Sequence, residues 1–265
     1  MTVVWTGSSG SLLGHRREEI HHLSFRDFLS SHDLAGELDA SAPVEQVVHA
    51  AAIVGTEACE QDKAAAWAVN VQGTIDLLTA AAKIGARRFF LVSTSHVYKN
   101  SLLPLSETSP VEPKSYYALT KFKAEELSTL AALDLGIELC VVRVFSIIGA
   151  ARNSDSLAGL ILRVLEGSGE TIRCASDTRD FQTPRQYTEN LDVLIATASL
   201  PPLLNLGSGA GMSVGEAAQL QAASQGKEIG ADQIEWGFSG NPSMVSEPAL
   251  FQSATGLHPR PLAFG

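Results

Sequence analysis

TVVWTGSSGSLLG, residues 2–14, decides how the rest of the chain is read. An apolar, β-branched run, Thr2 to Trp5, passes directly into Thr6-Gly7-Ser8-Ser9-Gly10. A glycine turn that leads from a strand into a helix N-terminus exposes backbone N–H groups where the helix dipole also favours negative charge. Gly7, Ser8, Ser9 and Gly10 are therefore candidate contacts for a pyrophosphate. An ordinary strand-to-helix turn uses the same residues, so the turn alone leaves both readings open.

Outward from that turn, short β-branched runs alternate with longer alanine-rich ones. VEQVVHA at 44–50, RRFFLVS at 87–93 and IELCVVRV at 137–144 read as strands. WAVNVQGTIDLLTAAAKIG at 67–85 and SYYALTKFKAEELSTLAALDLG at 115–136 read as helices that stop at Gly85 and Gly136. Strands separated by helices of this length predict an α/β fold, a parallel sheet with helices on both faces. After Gly149 the texture changes to a helical LAGLILRVLEG, a polar SDTRDFQTPRQYTENLDVL, a strand-like PPLLNLGSG and a ragged end. Two domains are expected, 1–149 and a smaller C-terminal lobe over 150–265, interleaved with the first rather than independently folding.

The 265 residues are 45% hydrophobic and carry a formal net charge of -10. With no run of basic residues longer than a pair, nothing offers a polyanion an electrostatic footprint, which excludes nucleic acid as a partner. Cys59, Cys140 and Cys174 are widely spaced, so neither a disulfide framework nor a metal site is read from them. No apolar run reaches the length of about 18 residues that spans a bilayer, and no charged leader opens the chain. The expectation is a soluble, cytoplasmic protein without a membrane partner.

Two further clusters carry chemistry. Tyr117 and Lys121 are spaced i, i+4 near the start of a helix, so both side chains share one face and an ammonium beside a phenol favours the ionised phenol. A phenol tuned in this way exchanges a proton with a sugar hydroxyl or carbonyl. Ser93-Thr94-Ser95-His96-Val97-Tyr98 closes a central strand, at the end of a parallel sheet where ligands bind. A hydroxyl there can share one substrate oxygen with Tyr117.

In order along the chain stand TGxxG, HAAA from His49, VNVQGT with Asn70, STSHVY, YxxxK, RVFS ending at Ser146, TRDF and NLGSG. This succession resembles the extended short-chain dehydrogenase/reductases, the NAD(P)-dependent epimerases, dehydratases and reductases of nucleotide sugars, over nearly the whole chain. The resemblance implies a Rossmann-like, doubly wound sheet with a small C-terminal α/β substrate lobe, and NAD or NADP as cofactor. It implies Tyr117 as catalytic acid-base, Lys121 as the residue that lowers its pKa and holds the nicotinamide ribose, and Thr94 as the hydroxyl on the substrate oxygen. His49, Ala50, Ala51, Asn70 and Phe145 match cofactor-lining positions, while Ser95, His96, Ser146 and Arg179 match substrate positions. Arg179 is the expected grip on a nucleotide diphosphate. The helices carrying Asn70 and YxxxK pair across a dimer axis in such proteins, so a homodimer is open to this one.

Departures narrow the reading. The last glycine of the turn motif is displaced to Gly14, with Leu13 in its place. Only SLLGHRREEI stands where the family has a full helix and a second strand, so the first βα unit is expected to be shortened. The residue that selects NAD or NADP is not identified; Arg16 and Arg17 are candidates for a 2′-phosphate. Ser95 and His96 replace the acidic pair of the dehydratases, which argues against dehydration. Ser146 replaces an asparagine, and Asn241 stands where an arginine is expected. What remains is hydride transfer at a sugar carbon, as an epimerase or a 4-keto reductase, with a non-catalytic cofactor-binding relative as the alternative.

Overall fold

A computed structural model of the chain describes residues 2–7, 20–37, 43–149 and 156–264. The chain divides into two compact units. Unit 1 comprises Met1–Val97, Pro113–Arg143 and Leu200–Leu204, and unit 2 comprises Tyr98–Glu112, Val144–Ser199 and Asn205–Gly265. Among the described residues no helix is long and apolar enough to cross a membrane.

Six strands form the sheet of unit 1: β1 (Thr2–Thr6), β2 (Ile20–Leu23), β3 (Val44–His49), β4 (Arg88–Thr94), β5 (Glu138–Val144) and β8 (Leu203–Leu206). Their order is β2-β1-β3-β4-β5-β8, parallel where β1 meets β2 and β3 and where β3 meets β4. The helices of this unit are α1 (Phe25–Ser31), α2 (Leu34–Glu37), α3 (Thr56–Gln61), α4 (Lys63–Trp67), α5 (Gly73–Lys83) and α6 (Tyr116–Leu135). Ser115 caps α6 by accepting from the Ala118 N–H, and Gly136 ends it in the left-handed conformation. Phe28, Phe89, Leu77 and Leu78 are fully buried in the core between sheet and helices.

A short second strand, which the sequence reading did not find, is present at the end of the shortened segment. His21, His22 and Leu23 belong to β2, where Val3 stands opposite Ile20 and Thr6 opposite Leu23. Four residues suffice because β1 offers a ready edge to pair with. Residues 8–19, which connect the two strands, lie outside the described residues. The chain steps from β1 out to β2 and returns to β3 on the other side of β1, so the strand order reverses at β1 and β3. Ligands of open parallel sheets bind outside the carboxyl ends of the strands at such a reversal.

Unit 2 holds β6 (Ser146–Ile147), β7 (Thr178–Gln182), β9 (Gly211–Ser213) and β10 (Ser243–Met244), with α7 (Leu157–Leu165), α8 (Pro184–Ala196), α9 (Val214–Ser224) and α10 (Ala249–Thr255). A small sheet runs β10-β7-β6, with β9 antiparallel to β7. Ile148, Ile161, Phe181 and Ala217 lie in its own core. The segment read only as polar, SDTRDFQTPRQYTENLDVL, is β7 followed by α8. Thr183 and Gln186 cap that helix reciprocally, with Pro184 at its start.

Candidate functional site

At the reversal point, β1 and β3 are tied end to end. Gly7 has φ +89°, and a Cβ on it would lie 2.9 Å from the backbone carbon of Ala50 and the nitrogen of Ala51. Only glycine combines that conformation with so close a backbone approach. The Ala51 N–H donates to the Thr6 hydroxyl at 3.4 Å. Ala50 and Ala51 are half-buried, whereas the ring of His49 is 0% exposed. Ser8, Ser9 and Gly10 lie outside the described residues, as do Leu13, Gly14, Arg16 and Arg17.

His49 is occupied on both sides. Its Nδ1 is 2.7 Å from Thr6 Oγ1, and its Nε2 is 3.0 Å from Thr74 Oγ1. The Thr74 hydroxyl gives its single proton to the Asn70 carbonyl at 2.8 Å, so it accepts from His49 and the imidazole carries its proton on Nε2. Burial, then the nearby Lys121 ammonium, hold His49 well below its ordinary pKa of 6.5, so the ring is neutral. Its side chain therefore binds strand to helix, and the ligand-facing part of HAAA is the backbone of Ala50 and Ala51.

Asn70 sits on a π-helical turn, Ala68–Gln72, between α4 and α5. Such turns frequently mark functional positions. The Asn70 carboxamide is fully buried; its Oδ1 accepts from the Ile53 N–H at 2.8 Å, and its Nδ2 donates to the Ile53 carbonyl at 3.0 Å and to Thr120 Oγ1 at 3.1 Å. Thr120 in turn donates to the Tyr117 carbonyl at 2.8 Å. Asn70 thus links the loop after β3 to the helix that bears Tyr117.

Thr94, Tyr117 and Lys121 come together. Thr94, the last residue of β4, stands close enough to the Tyr117 phenol to favour its ionised form, and it accepts from the His96 N–H at 3.3 Å. Burial, then the nearby Cys59, pushes the phenol up to about 12, and Thr94 works in the other direction. Burial brings Lys121 down to about 8, and Glu125 works in the other direction. The expected lowering of the phenol by Lys121 is not found: Lys121 is not among the groups that shift Tyr117, and loss of hydration disfavours the charged form of both residues. Lys121 is 3% exposed, and among the described residues no hydrogen bond to its ammonium is found. Ser95 is buried and His96 exposed, so only His96 of that pair presents its side chain to solvent.

Beneath this group lies a cluster that the motif reading passed over. Glu125, one helical turn after Lys121, accepts from Arg143 Nε at 3.1 Å and Nη2 at 2.6 Å, and from the Ser93 hydroxyl. The i, i+4 spacing of Lys121 and Glu125 was the available signal. The thiol of Cys59, on α3, donates to the Ile53 carbonyl at 3.4 Å.

In unit 2, Phe145 is buried and Ser146 half-buried, the latter opposite Phe181 on β7. Arg179 is folded back: Nη1 donates to the Thr178 carbonyl at 2.9 Å and Nη2 to Asp177 at 3.0 Å. Asp177 also accepts from the Ser239 N–H at 2.8 Å. A cavity of about 440 Å³ is lined by Leu157, Leu160, Arg163, Glu170, Thr171 and Arg173, none of which the motifs had indicated.

The residues at the reversal point suit a dinucleotide: a glycine turn against a backbone loop, and a buried ammonium without an acceptor among the described residues. Comparison with known proteins agrees. Residues 2–207 match the model of the NAD dependent epimerase/dehydratase family. A UDP-glucose 4-epimerase of Streptomyces lividans is 31% identical over 192 residues, 64% of this chain and 57% of that protein. UDP-glucuronic acid decarboxylase 1 of Danio rerio is 27% identical over 218 residues, 78% of this chain and 51% of that one. The chain thus spans little more than half the length of these curated relatives. Among solved structures, RMD from Pseudomonas aeruginosa complexed with NADPH superposes with TM-score 0.82 at 21% identity, over 98% of this chain and 93% of that one, a likeness of fold.

Proposed function

The chain belongs to the NAD dependent epimerase/dehydratase family, and from that premise we propose that it binds NAD or NADP at the carboxyl ends of β1 and β3 and transfers hydride at a sugar carbon of a nucleotide sugar. The observation that carries this reading is the convergence of Thr94 and Tyr117 beside the buried Lys121. The nicotinamide, when bound, supplies the hydride donor or acceptor.

Gly7, with Ser8, Ser9 and Gly10, binds the pyrophosphate, and the Ala50 and Ala51 backbone lines the crevice. Lys121 offers its ammonium to the ribose hydroxyls. Tyr117 holds its proton on Oη at neutral pH, since burial keeps the phenol near 12, and so rests as the acid that protonates a sugar oxygen. Running in reverse as a base, it relies on the Lys121 charge to stabilise the phenolate. Thr94 shares the same substrate oxygen and fixes the direction of proton transfer. Phe145, Ser146, Ser95 and His96 remain assigned to the nicotinamide and sugar as expected from the motifs. Arg179, paired with Asp177, is the proposed diphosphate contact. The substrate lobe corresponds to residues 150–265, and its cavity beside α7 is where we place the nucleotide.

Two reactions fit: epimerisation, in which the cofactor is regenerated within a turnover, and reduction of a 4-keto sugar. A homodimer through α6 is supported by Leu127, Leu130 and Leu133, which stand at helical spacing and are 41%, 62% and 76% exposed. The testing experiment adds NAD(H) or NADP(H) to the pure protein and follows thermal stability, then supplies UDP-sugars and identifies products. A bound ligand raises apparent stability. Absence of any shift at millimolar cofactor overturns this reading, and a shift without turnover of any UDP-sugar replaces it with the non-catalytic, cofactor-binding one.

A further inference from the structure

We propose that Glu125 is the counter-charge that keeps Lys121 in its ammonium form and in place, a positioning residue of the Tyr117–Lys121 site. The inference rests on the reading of that site given above, and stands on geometry within unit 1.

An ammonium withdrawn from water is unfavourable unless an opposite charge or acceptors replace its hydration. Lys121 is 3% exposed and lacks a hydrogen-bond acceptor among the described residues. The titratable and charged groups packed around it come from every neighbouring element. His49 on β3 is neutral, with both nitrogens engaged. Cys59 on α3 is a thiol whose pKa burial raises, and Tyr117 on α6 is a neutral phenol. Arg143 on β5 is a second cation. Glu60 on α3 is exposed and already engaged by Lys63 and the Tyr116 N–H. That leaves Glu125, the one buried carboxylate among the described residues of unit 1.

Glu125 is itself fixed from three elements. It rides on α6 one turn after Lys121, while Arg143 from β5 and Ser93 from β4 hold both of its oxygens. Ser93 immediately precedes Thr94. One carboxylate thus fastens the helix of Tyr117 and Lys121 to the strand of Thr94, and its charge opposes the burial that brings Lys121 down to about 8. Arg143 serves in this arrangement to hold and orient the Glu125 carboxylate through both of its oxygens.

The test reads Lys121 directly. In protein labelled at the lysine side chains, the Lys121 resonance is assigned by its loss in Lys121→Met and titrated without any cofactor. The expected result is a midpoint near 8 in the native protein that falls by about one pH unit, roughly tenfold in proton affinity, in Glu125→Gln. Glu125→Asp, which keeps the charge, restores most of it. If Glu125→Gln fails to fold with Arg143 orphaned, the double variant Glu125→Gln, Arg143→Gln removes that orphaned cation and serves instead, its Lys121 midpoint compared with that of Arg143→Gln alone. An unchanged Lys121 midpoint in a folded variant overturns the proposal and leaves Glu125 a structural tie. Because the titration needs no ligand, its shift in a protein that neither NAD(H) nor NADP(H) stabilises upholds Glu125 while refuting the cofactor reading.

Discussion

Buried charge is handled in opposite ways by the two units. In unit 2, Asp180 is 0% exposed and saturated: it accepts from the N–H groups of Ser208 at 2.9 Å, Gly209 at 2.9 Å and Ser246 at 3.2 Å, and from both serine hydroxyls. Asp177 is likewise filled by Ser239 and Arg179. In unit 1, Glu125 is filled in the same manner, but Lys121 beside it is not. A charge whose partners are all supplied by the fold secures the fold, and a charge left short of partners is prepared for something that arrives later.

That contrast can be broken by experiment. The largest effect is expected from Tyr117→Phe, which removes one oxygen and should lower turnover by roughly 10²- to 10⁴-fold with an unchanged melting temperature. Comparable activity in the variant ends the proposed mechanism. Next, Asp180→Asn should cost about 3 kcal/mol in a denaturant titration, because an amide cannot accept from every donor now directed at that carboxylate. Cofactor-induced stabilisation in that variant should persist, and its loss would blur the distinction drawn between the two units. Gly7→Ala should cost about 2 kcal/mol, since its Cβ meets backbone at 2.9 Å with φ at +89°. Cofactor should stabilise this variant less than the native protein.

The smallest effect concerns acid. His49 is held neutral in the folded protein, well below 6.5, while the unfolded chain protonates it below that pH. The unfolded state then binds more protons, so stability falls as pH drops below 6.5, by up to about 1.4 kcal/mol per pH unit. Denaturant midpoints between pH 7 and 5 measure the slope, and His49→Gln should flatten it.

Particular residues show why some of this was legible in the sequence. The strands β1, β3, β4 and β5 were readable because each is a compact β-branched run, and α6 because Ser115 and Gly136 bound it. Thr94, Tyr117 and Lys121 could be named because motif order carries chemistry. β2 was missed because IHHL has no alternation and follows a charged run; only the edge of β1 makes it a strand. α8 and α9 were passed over although Thr183-x-x-Gln186 and Ser213-x-x-Glu216 are capping boxes written in the sequence. Glu125, Arg143 and Ser93 meet across 18 and 32 positions of separation, a convergence that only the folded sheet creates.

The chain of hydrogen bonds through His49 also equips the protein with an internal reporter. An imidazole proton on Nε2, sealed from solvent and given to Thr74, should exchange slowly enough to persist as a resolved low-field resonance in water. Its broadening would announce that β3 has parted from α5 before any global unfolding, allowing that local opening to be timed in the native protein.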